Sequence, residues 1–248
     1  MNNYVYYYRF NHQFFGTRFS GENAREAAEL LDFRYKEIFI NNREQLNGIK
    51  IYKNNLILIE DMLISYPGIT TEEILILYKL REPLQGEKKY YQLAIEQPDY
   101  IETYYYNLSF LKYSRDKYIQ VENMNSKIRS GCFIAYRKKE PVAVIEFIRE
   151  SDCLFSLPER NEKRLFITFL YNFKNQYYDY RPFLIYKIIK SAYLGGYKAL
   201  SIISGLRTDN LNGPVKFLED LNFTVTKKLD RVLLKYTWED LFFMTYDL

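Results

Sequence analysis

The chain has 248 residues, of which 48% are hydrophobic and 27% are charged, as in an ordinary globular protein. Its net charge of +4 comes from 35 basic and 31 acidic residues that are dispersed along the chain. This excludes the concentrated basic stripe that marks nucleic-acid-binding proteins. No apolar run approaches the ~20 residues that a membrane-spanning helix needs. We therefore expect a soluble, cytoplasmic protein that binds neither nucleic acid nor a membrane.

Histidine and cysteine are too scarce for several kinds of active site. The only histidine is His12, and the only cysteines are Cys132 and Cys153. One histidine excludes a multi-histidine metal site, and the cysteine spacing matches no metal-binding pattern, so we expect no metal and two free thiols. The sequence also lacks a P-loop, a dinucleotide-binding glycine motif and a metalloprotease helix motif. The 26 tyrosines indicate either an AT-rich genome or an aromatic-lined ligand groove.

The first half of the chain predicts a small α/β region. Its opening strand is β-branched and aromatic, apolar residues at helical spacing follow it, and Asn47-Gly48 marks a turn before a hairpin. Residues 90–125 have no clear pattern, apart from a helix that starts at Asn107 or Ser109 and ends at Tyr118. The earlier elements are a strand at Tyr4–Phe10, a helix at Gly21–Ile40, a hairpin of Ile49–Tyr52 with Leu56–Ile59, and a helix at Glu72–Leu80.

The second half is patterned more clearly, and polar residues near Glu122–Ser130 precede it. We therefore divide the chain into residues 1–125 and 126–248. In the second part Pro182 suits the first turn of a helix, and Gly195-Gly196 suits its end. The predicted elements are strands at Cys132–Tyr136, Val142–Ile148 and Leu165–Leu170, a helix at Pro182–Leu194, a strand at Ala199–Ile203, a short helix at Gly213–Leu221, and closing strands at Phe223–Val225 and Val232–Tyr236.

This order of elements resembles the acyl-CoA-dependent N-acyltransferases of the GNAT superfamily over roughly residues 127–236. The stretch from Asn210 to Phe223, which follows the strand Leu200–Ile203, resembles the second motif of the family, with Asn222 in place of its usual glycine. The resemblance implies an α/β (α+β) fold with a mixed, mostly antiparallel twisted sheet flanked by helices. Residues 1–125 would then be an N-terminal α/β extension, either a substrate-recognition subdomain or a degenerate repeat of the fold.

The resemblance also implies acetyl-CoA, or a longer acyl-CoA, as co-substrate. In the family, a loop with the pattern Gln or Arg, two residues, Gly, one residue, and Gly or Ala holds the diphosphate at a helix N-terminus. Here the loop runs from Gln176 to Arg181, and Asp179 and Arg181 stand where small residues are expected. We expect charged side chains to compensate. The cofactor-binding residues that the resemblance implies are Leu170, Tyr171, Lys174, Gln176, Tyr180, Arg181 and Asn210.

A finer resemblance concerns the CREB-binding-protein type of lysine acetyltransferase, which also lacks the glycine loop. In that type an aromatic-rich loop follows the central strand, and an arginine stands at the helix start. Four parts of this sequence are similar to that type, namely Lys163–Leu170, Tyr180-Arg181, Tyr193-Leu194 and Gly196-Tyr197.

The resemblance implies direct attack of an amine on the thioester, whose oxygen is held by backbone N–H groups at a splayed central strand. Glu146 is the candidate base, and the alternative is an outward-facing strand glutamate. Tyr193 is the candidate acid, with Tyr197 or Tyr236 as substitutes. The predicted function is an N-acyltransferase for an amine of a protein lysine, a peptide or a small molecule. The alternatives are a non-catalytic GNAT-fold protein that binds a ligand or partner, and an aromatic-lined sensor of another α/β fold.

Overall fold

The computed structural model describes two compact units of the chain. The first unit consists of Met1–Lys88, Leu154–Ser156 and Asp230–Asp240, and the second of Lys89–Cys153, Leu157–Leu229 and Leu241–Leu248. No helix in the described part of the chain is both long and apolar enough to span a membrane. The described residues are 3–10, 15–40, 48–53, 55–59, 71, 74–75, 78, 93–105, 119–120, 130–153, 157–173, 177–207, 212–234 and 237–248.

The first unit is built on a four-stranded sheet with the order β2-β1-β3-β4. β1 and β2 are parallel and are joined by helix α1, whose Ala24, Ala27 and Ala28 are fully buried in the core of the unit. β3 and β4 form the predicted hairpin, which is confirmed. The elements are β1 (Tyr4–Phe10), α1 (Phe15–Leu30), β2 (Arg34–Ile40), β3 (Gly48–Lys53) and β4 (Asn55–Ile59).

The predicted helix Gly21–Ile40 is wrong beyond Leu30. Asp32 adopts a left-handed φ of 55°, and the Phe33 N–H donates to the Ala28 carbonyl at 2.8 Å, which closes the helix end. The following residues, Arg34–Ile40, pair with β1 along their whole length. The aromatic and β-branched residues of this segment are spaced so that they suit either a helix or a strand. Pairing with β1 stabilises the strand. The predicted helix Glu72–Leu80 lies mostly outside the described residues, as does the helix predicted to end at Tyr118.

The second unit carries a mixed, mostly antiparallel sheet with the order β13-β14-β12-β10-β9-β8-β6-β7, which confirms the predicted fold class. The register shows β10 and β12 as a parallel pair. The unit extends back to Lys89, upstream of residue 126, because β6 pairs with β8. The strands are β5 (Ala94–Ile95), β6 (Tyr100–Tyr105), β7 (Ile119–Gln120), β8 (Ser130–Arg137), β9 (Glu140–Arg149), β10 (Arg164–Asn172), β11 (Tyr178–Asp179), β12 (Ala199–Gly205), β13 (Thr224–Leu234) and β14 (Thr237–Asp247).

Helix α2 (Arg181–Leu194) connects β10 to β12 and packs on one face of the sheet. Its Leu184, Ile185 and Ile188 are fully buried in the main core. Gly196, at φ 78°, ends the helix as predicted, and the next N–H donates to the Ala192 carbonyl at 3.0 Å. A short helix, α3 (Val215–Glu219), follows β12.

The C-terminal part of the sheet differs from the prediction. The two predicted closing strands, Phe223–Val225 and Val232–Tyr236, overlap with the single strand β13 at residues 224–225 and 232–234. β14 was not predicted, and it pairs antiparallel with β12 from Ala199↔Asp247 to Gly205↔Leu241. Charged residues within Thr237–Asp247 obscure its period in the sequence, whereas pairing with β12 buries Leu241, Phe243 and Met244.

Candidate functional site

The candidate site begins where the two parallel strands separate. β10 pairs with β9 as far as Asn172, but its register with β12 runs only from Arg164↔Ala199 to Ile167↔Ile202. The pairing with β9 shifts between Ile167 and Phe169, so Thr168 lies in a bulge. The central strand is therefore splayed from β12 beyond Ile167, which is the feature that the GNAT resemblance implies for the thioester.

Asn212 joins the two strands beyond the point where their direct pairing ends. Its Oδ1 accepts the Leu170 N–H at 2.8 Å, and its Nδ2 donates to the Ile203 carbonyl at 2.8 Å. The side chain is fully buried, and its backbone is left-handed at φ 63°. The N–H of Leu170, a predicted cofactor contact, thus already has a partner within the protein.

Glu146 lies at the bulge. It is fully buried on β9, opposite Phe169 in the register, and its Oε2 accepts the Thr168 Oγ1–H at 3.0 Å. The alternative of an outward-facing, solvated glutamate is therefore wrong. A buried carboxylate held by a neighbouring hydroxyl can exchange a proton through that hydroxyl, which is a geometry suited to a base.

The start of α2 is occupied by an internal ion pair. Asp179 and Arg181 are both buried, and the Asp179 Oδ2 accepts the Arg181 Nη2–H at 2.7 Å. The Asp179 Oδ1 accepts both the Nε–H and the backbone N–H of Arg181, each at 2.9 Å. The guanidinium lies over the Phe217 ring, 4.3 Å from its centroid. The charge of Arg181 is therefore compensated inside the protein.

The residues just before α2 form a second network. The Asn172 Oδ1 accepts the Tyr180 N–H at 3.1 Å, and the Asn172 Nδ2 donates to the Tyr178 carbonyl at 2.7 Å. The Tyr180 hydroxyl donates to Glu96, which also forms an ion pair with Arg137. Burial and the Glu96 carboxylate raise the pKa of Tyr180 to about 12.

The remaining predicted site residues are not brought together. Tyr171 follows Leu170 on β10, is partly buried and stacks on Phe169, and burial raises the pKa of its phenol. Tyr193 is 68% exposed and lies about 18 Å along α2 from Arg181, at 1.5 Å per residue. The predicted contacts Lys174, Gln176 and Asn210 lie outside the described residues.

Three residues of the site were missed in the sequence analysis, namely Asn172, Asn212 and Glu96. The Asn212-Gly213 dipeptide is a turn signal that could have indicated a left-handed residue. Asn172 and Glu96 carry no local signal, because their roles depend on contacts with residues that are distant in sequence or in the loop after β10.

The described residues fit the two ends of a coenzyme A thioester differently. Beyond Ile167 the two strands no longer pair, which is where the resemblance places the narrow pantetheine arm, and the Leu170 N–H and Ile203 carbonyl at this separation are buried and bonded to Asn212. The start of α2, in contrast, already holds the Asp179 carboxylate and does not fit a diphosphate. Within the described part of the chain, no three potential metal ligands lie close together.

No protein-family model matches the sequence, and no curated protein is significantly similar to it. Several solved structures match. An IAA acetyltransferase from Bacillus cereus has 13% identity and a TM-score of 0.37, with 48% of this chain and 79% of that one aligned. A GNAT-family acetyltransferase from Streptococcus pneumoniae has 12% identity and a TM-score of 0.40, with 50% of this chain and 69% of that one aligned.

The protein yncA from Salmonella typhimurium, solved with its cofactor acetyl-CoA, has 17% identity and a TM-score of 0.38, with 48% of this chain and 65% of that one aligned. These identities define no equivalent site residues. The connection of the splayed pair β10 and β12 through α2, with antiparallel strands on both sides, is the arrangement that the resemblance implied. About half of this chain aligns with each of these acetyltransferase structures.

Proposed function

We propose that the second unit transfers an acyl group from a thioester of the acyl-CoA class to an amine. The observation that carries this proposal is the separation of β10 from β12 beyond Ile167, with the Glu146–Thr168 pair at the bulge beside it. This arrangement combines a separated pair of parallel strands with a carboxylate that can take up a proton.

In the proposed reaction the amine nitrogen attacks the thioester carbonyl carbon. A C–N bond forms, the C–S bond breaks, and the thiolate leaves. Glu146 takes the amine proton through the Thr168 hydroxyl, which already donates to it. The thiolate takes a proton from Tyr171, which lies on β10 beyond the point where this strand separates from β12. We do not assign the predicted acid role to Tyr193, because it lies at the far end of α2.

The acceptor is an amine of a protein lysine, a peptide or a small molecule. The role predicted for residues 1–125, a substrate-recognition subdomain or a degenerate repeat of the fold, is carried over to the first unit. The first unit has its own buried cluster around Val5, Tyr7 and Ile51, which is consistent with a separately organised region.

A second function, non-catalytic binding of a ligand or partner, is favoured by one observation. Glu146 is fully buried, and the Asp179–Arg181 pair occupies the start of α2, so neither group is open to solvent. A protein that had lost transfer chemistry could retain both features as structural contacts.

An acyl-transfer assay distinguishes the two functions. The full chain is incubated with acetyl-CoA or S-acetylpantetheine and a panel of primary amines, and the acylated product is measured by mass spectrometry. We expect transfer that slows about 10²–10⁴-fold in Glu146→Gln, with little change in donor affinity. Glu140→Gln, an exposed change on the same strand, is the matched control and should leave the rate unaltered.

Donor binding without transfer to any amine would instead support the binding function. An unaltered rate in Glu146→Gln would remove Glu146 as the base while leaving the transferase activity in place.

A further inference from the structure

We propose that the start of α2 gives no binding energy to the diphosphate of coenzyme A, so that the affinity for an acyl donor does not depend on its nucleotide end. This inference rests on the proposed transferase function and specifies its donor. The fold resemblance would place the diphosphate at this helix start, and the contacts of this chain contradict that placement.

Three consecutive residues at the helix start offer no backbone N–H to a ligand. The Tyr180 N–H donates to the Asn172 Oδ1 at 3.1 Å, and the Arg181 N–H donates to the Asp179 Oδ1 at 2.9 Å. Pro182 has no N–H at all. A helix N-terminus binds an anion through its first four N–H groups, so the loss of three of them removes most of the backbone part of the cradle.

The Asp179 carboxylate lies where a bound anion would lie at the start of α2. Asp179 is buried and lies against the first turn of α2, where it satisfies the helix dipole in the way that a bound anion would. A diphosphate brought to the same place would be repelled by this charge.

The Arg181 guanidinium is not free to turn outward and compensate. It is only 4% exposed, its Nε and Nη2 both bind the Asp179 carboxylate, and it packs over Phe217. Redirecting it to a ligand would leave the buried Asp179 charge unpaired, which is strongly unfavourable. Arg181 is therefore a structural partner of Asp179 and not a contact for the diphosphate.

The donor class that fits these contacts is a thioester of pantetheine, whether the arm ends in the nucleotide of coenzyme A or in another attached group. The nucleotide of coenzyme A then makes no contact with the start of α2 that contributes to binding.

Calorimetric titration of the full chain with acetyl-CoA and with S-acetylpantetheine tests the inference. We expect the two dissociation constants to agree within about tenfold. Tighter binding of acetyl-CoA by more than about tenfold would overturn the inference and leave the proposed function standing. Failure of both compounds to bind would overturn the proposed function itself, and the donor inference with it.

The variant Asp179→Asn tests whether the Asp179 carboxylate keeps a diphosphate from binding at the start of α2. Asp179→Asn keeps an oxygen for the Arg181 N–H but leaves the guanidinium charge uncompensated. We expect its preference for acetyl-CoA over S-acetylpantetheine to rise about tenfold or more. Asp220→Asn, an exposed aspartate on the surface beyond α3, is the control and should not change this ratio. An unchanged ratio in a folded Asp179→Asn protein would contradict the assignment, and thermal unfolding establishes that the variant is folded.

Discussion

The Asn212 side chain spans the gap between the two separated parallel strands by accepting the Leu170 N–H and donating to the Ile203 carbonyl, each at 2.8 Å. One amide thus satisfies two buried backbone groups that would otherwise pair with each other or with water. Its left-handed φ of 63° brings the chain back toward β12, where the Ser204 Oγ–H donates to the Gly213 carbonyl at 2.6 Å. A single buried side chain therefore bridges β10 and β12 beyond the point where their direct pairing ends.

Asn212→Ala should lower the free energy of unfolding by about 2–4 kcal/mol, because it leaves the Leu170 N–H and the Ile203 carbonyl buried without partners. Asn212→Gly loses the same amide but adopts the positive φ without strain, so it should be less destabilising by up to about 1 kcal/mol. Urea unfolding of both variants measures these differences. A loss below about 0.5 kcal/mol in Asn212→Ala would show that water replaces the amide.

Gly213→Ala should be among the most destabilising glycine changes in this region. Its Cβ would lie 2.7 Å from the Phe217 Cδ1 and 3.1 Å from the Arg181 Nη1, at a φ of 94°. Gly196→Ala is the matched control, because its φ is 78° but nothing lies within 4 Å of the added carbon. We expect a loss of about 1–2 kcal/mol for Gly196→Ala from the backbone alone, and about 1–3 kcal/mol more for Gly213→Ala. Equal losses by urea unfolding would contradict the close packing around Gly213.

Glu150 should make the stability of the protein depend on pH. Its carboxylate is fully buried, where Oε1 accepts the Ser201 Oγ–H at 2.5 Å and Oε2 accepts the Asn161 N–H at 2.7 Å. The Arg164 Nε lies 3.2 Å from Oε2, but without hydrogen-bonding geometry. Burial outweighs these contacts and raises the pKa of Glu150 above the ordinary value of 4.5.

Because the pKa of Glu150 is higher in the folded than in the unfolded protein, the folded state binds the extra proton. Its contribution to stability is full below pH 4.5 and is lost as the pH rises through the raised value. Glu150→Gln has no ionisable group at this position, so its stability does not change with the charge of residue 150. The free energy of unfolding should therefore fall more in the wild type than in the variant between about pH 4 and 7. Urea unfolding across this range, with Glu140→Gln as the exposed control, measures the difference. Parallel profiles for the wild type and Glu150→Gln would contradict the prediction.

Tyr180 and Glu96 should be energetically coupled through the hydroxyl–carboxylate hydrogen bond. Tyr180→Phe keeps the buried ring and should cost about 1 kcal/mol, because Glu96 is partly solvated and regains some hydration. A double-mutant cycle with Glu96→Gln should give a coupling of about 0.5–1 kcal/mol. The raised pKa of Tyr180 means that this contribution is full below pH 10 and is lost as the pH rises through about 12. Additive effects at neutral pH would show that the bond contributes nothing.

Local chemistry accounts for the parts of the fold that could be predicted from the sequence. The runs that became β8, β9, β10 and β12 are apolar and β-branched, and α2 is delimited by Pro182 near its start and Gly196 at its end. These signals depend only on residues that are neighbours in sequence, so they can be recognised in a single sequence without an alignment. They were sufficient to predict the order of elements and hence the fold class.

The elements that were missed depend on partners distant in sequence. Residues 34–40 suit a helix or a strand by their own pattern, and pairing with β1 makes them β2. Residues 237–247 contain charges that hide their period, and pairing with β12 makes them β14. In both cases the hydrogen bonds and buried area that select the strand exist only once the partner strand is in place.

The same distinction applies to the candidate site. The sequence places Asp179 and Arg181 two residues apart and indicates a defective glycine loop, but it does not show that the two side chains neutralise each other. The sequence analysis selected Asn210, which lies outside the described residues, and missed Asn212, whose side chain bonds both β10 and β12. Residue types and their order follow from the chain, whereas the pairing of charges and the direction of N–H groups follow from packing, because both depend on distances of a few ångströms between separate elements.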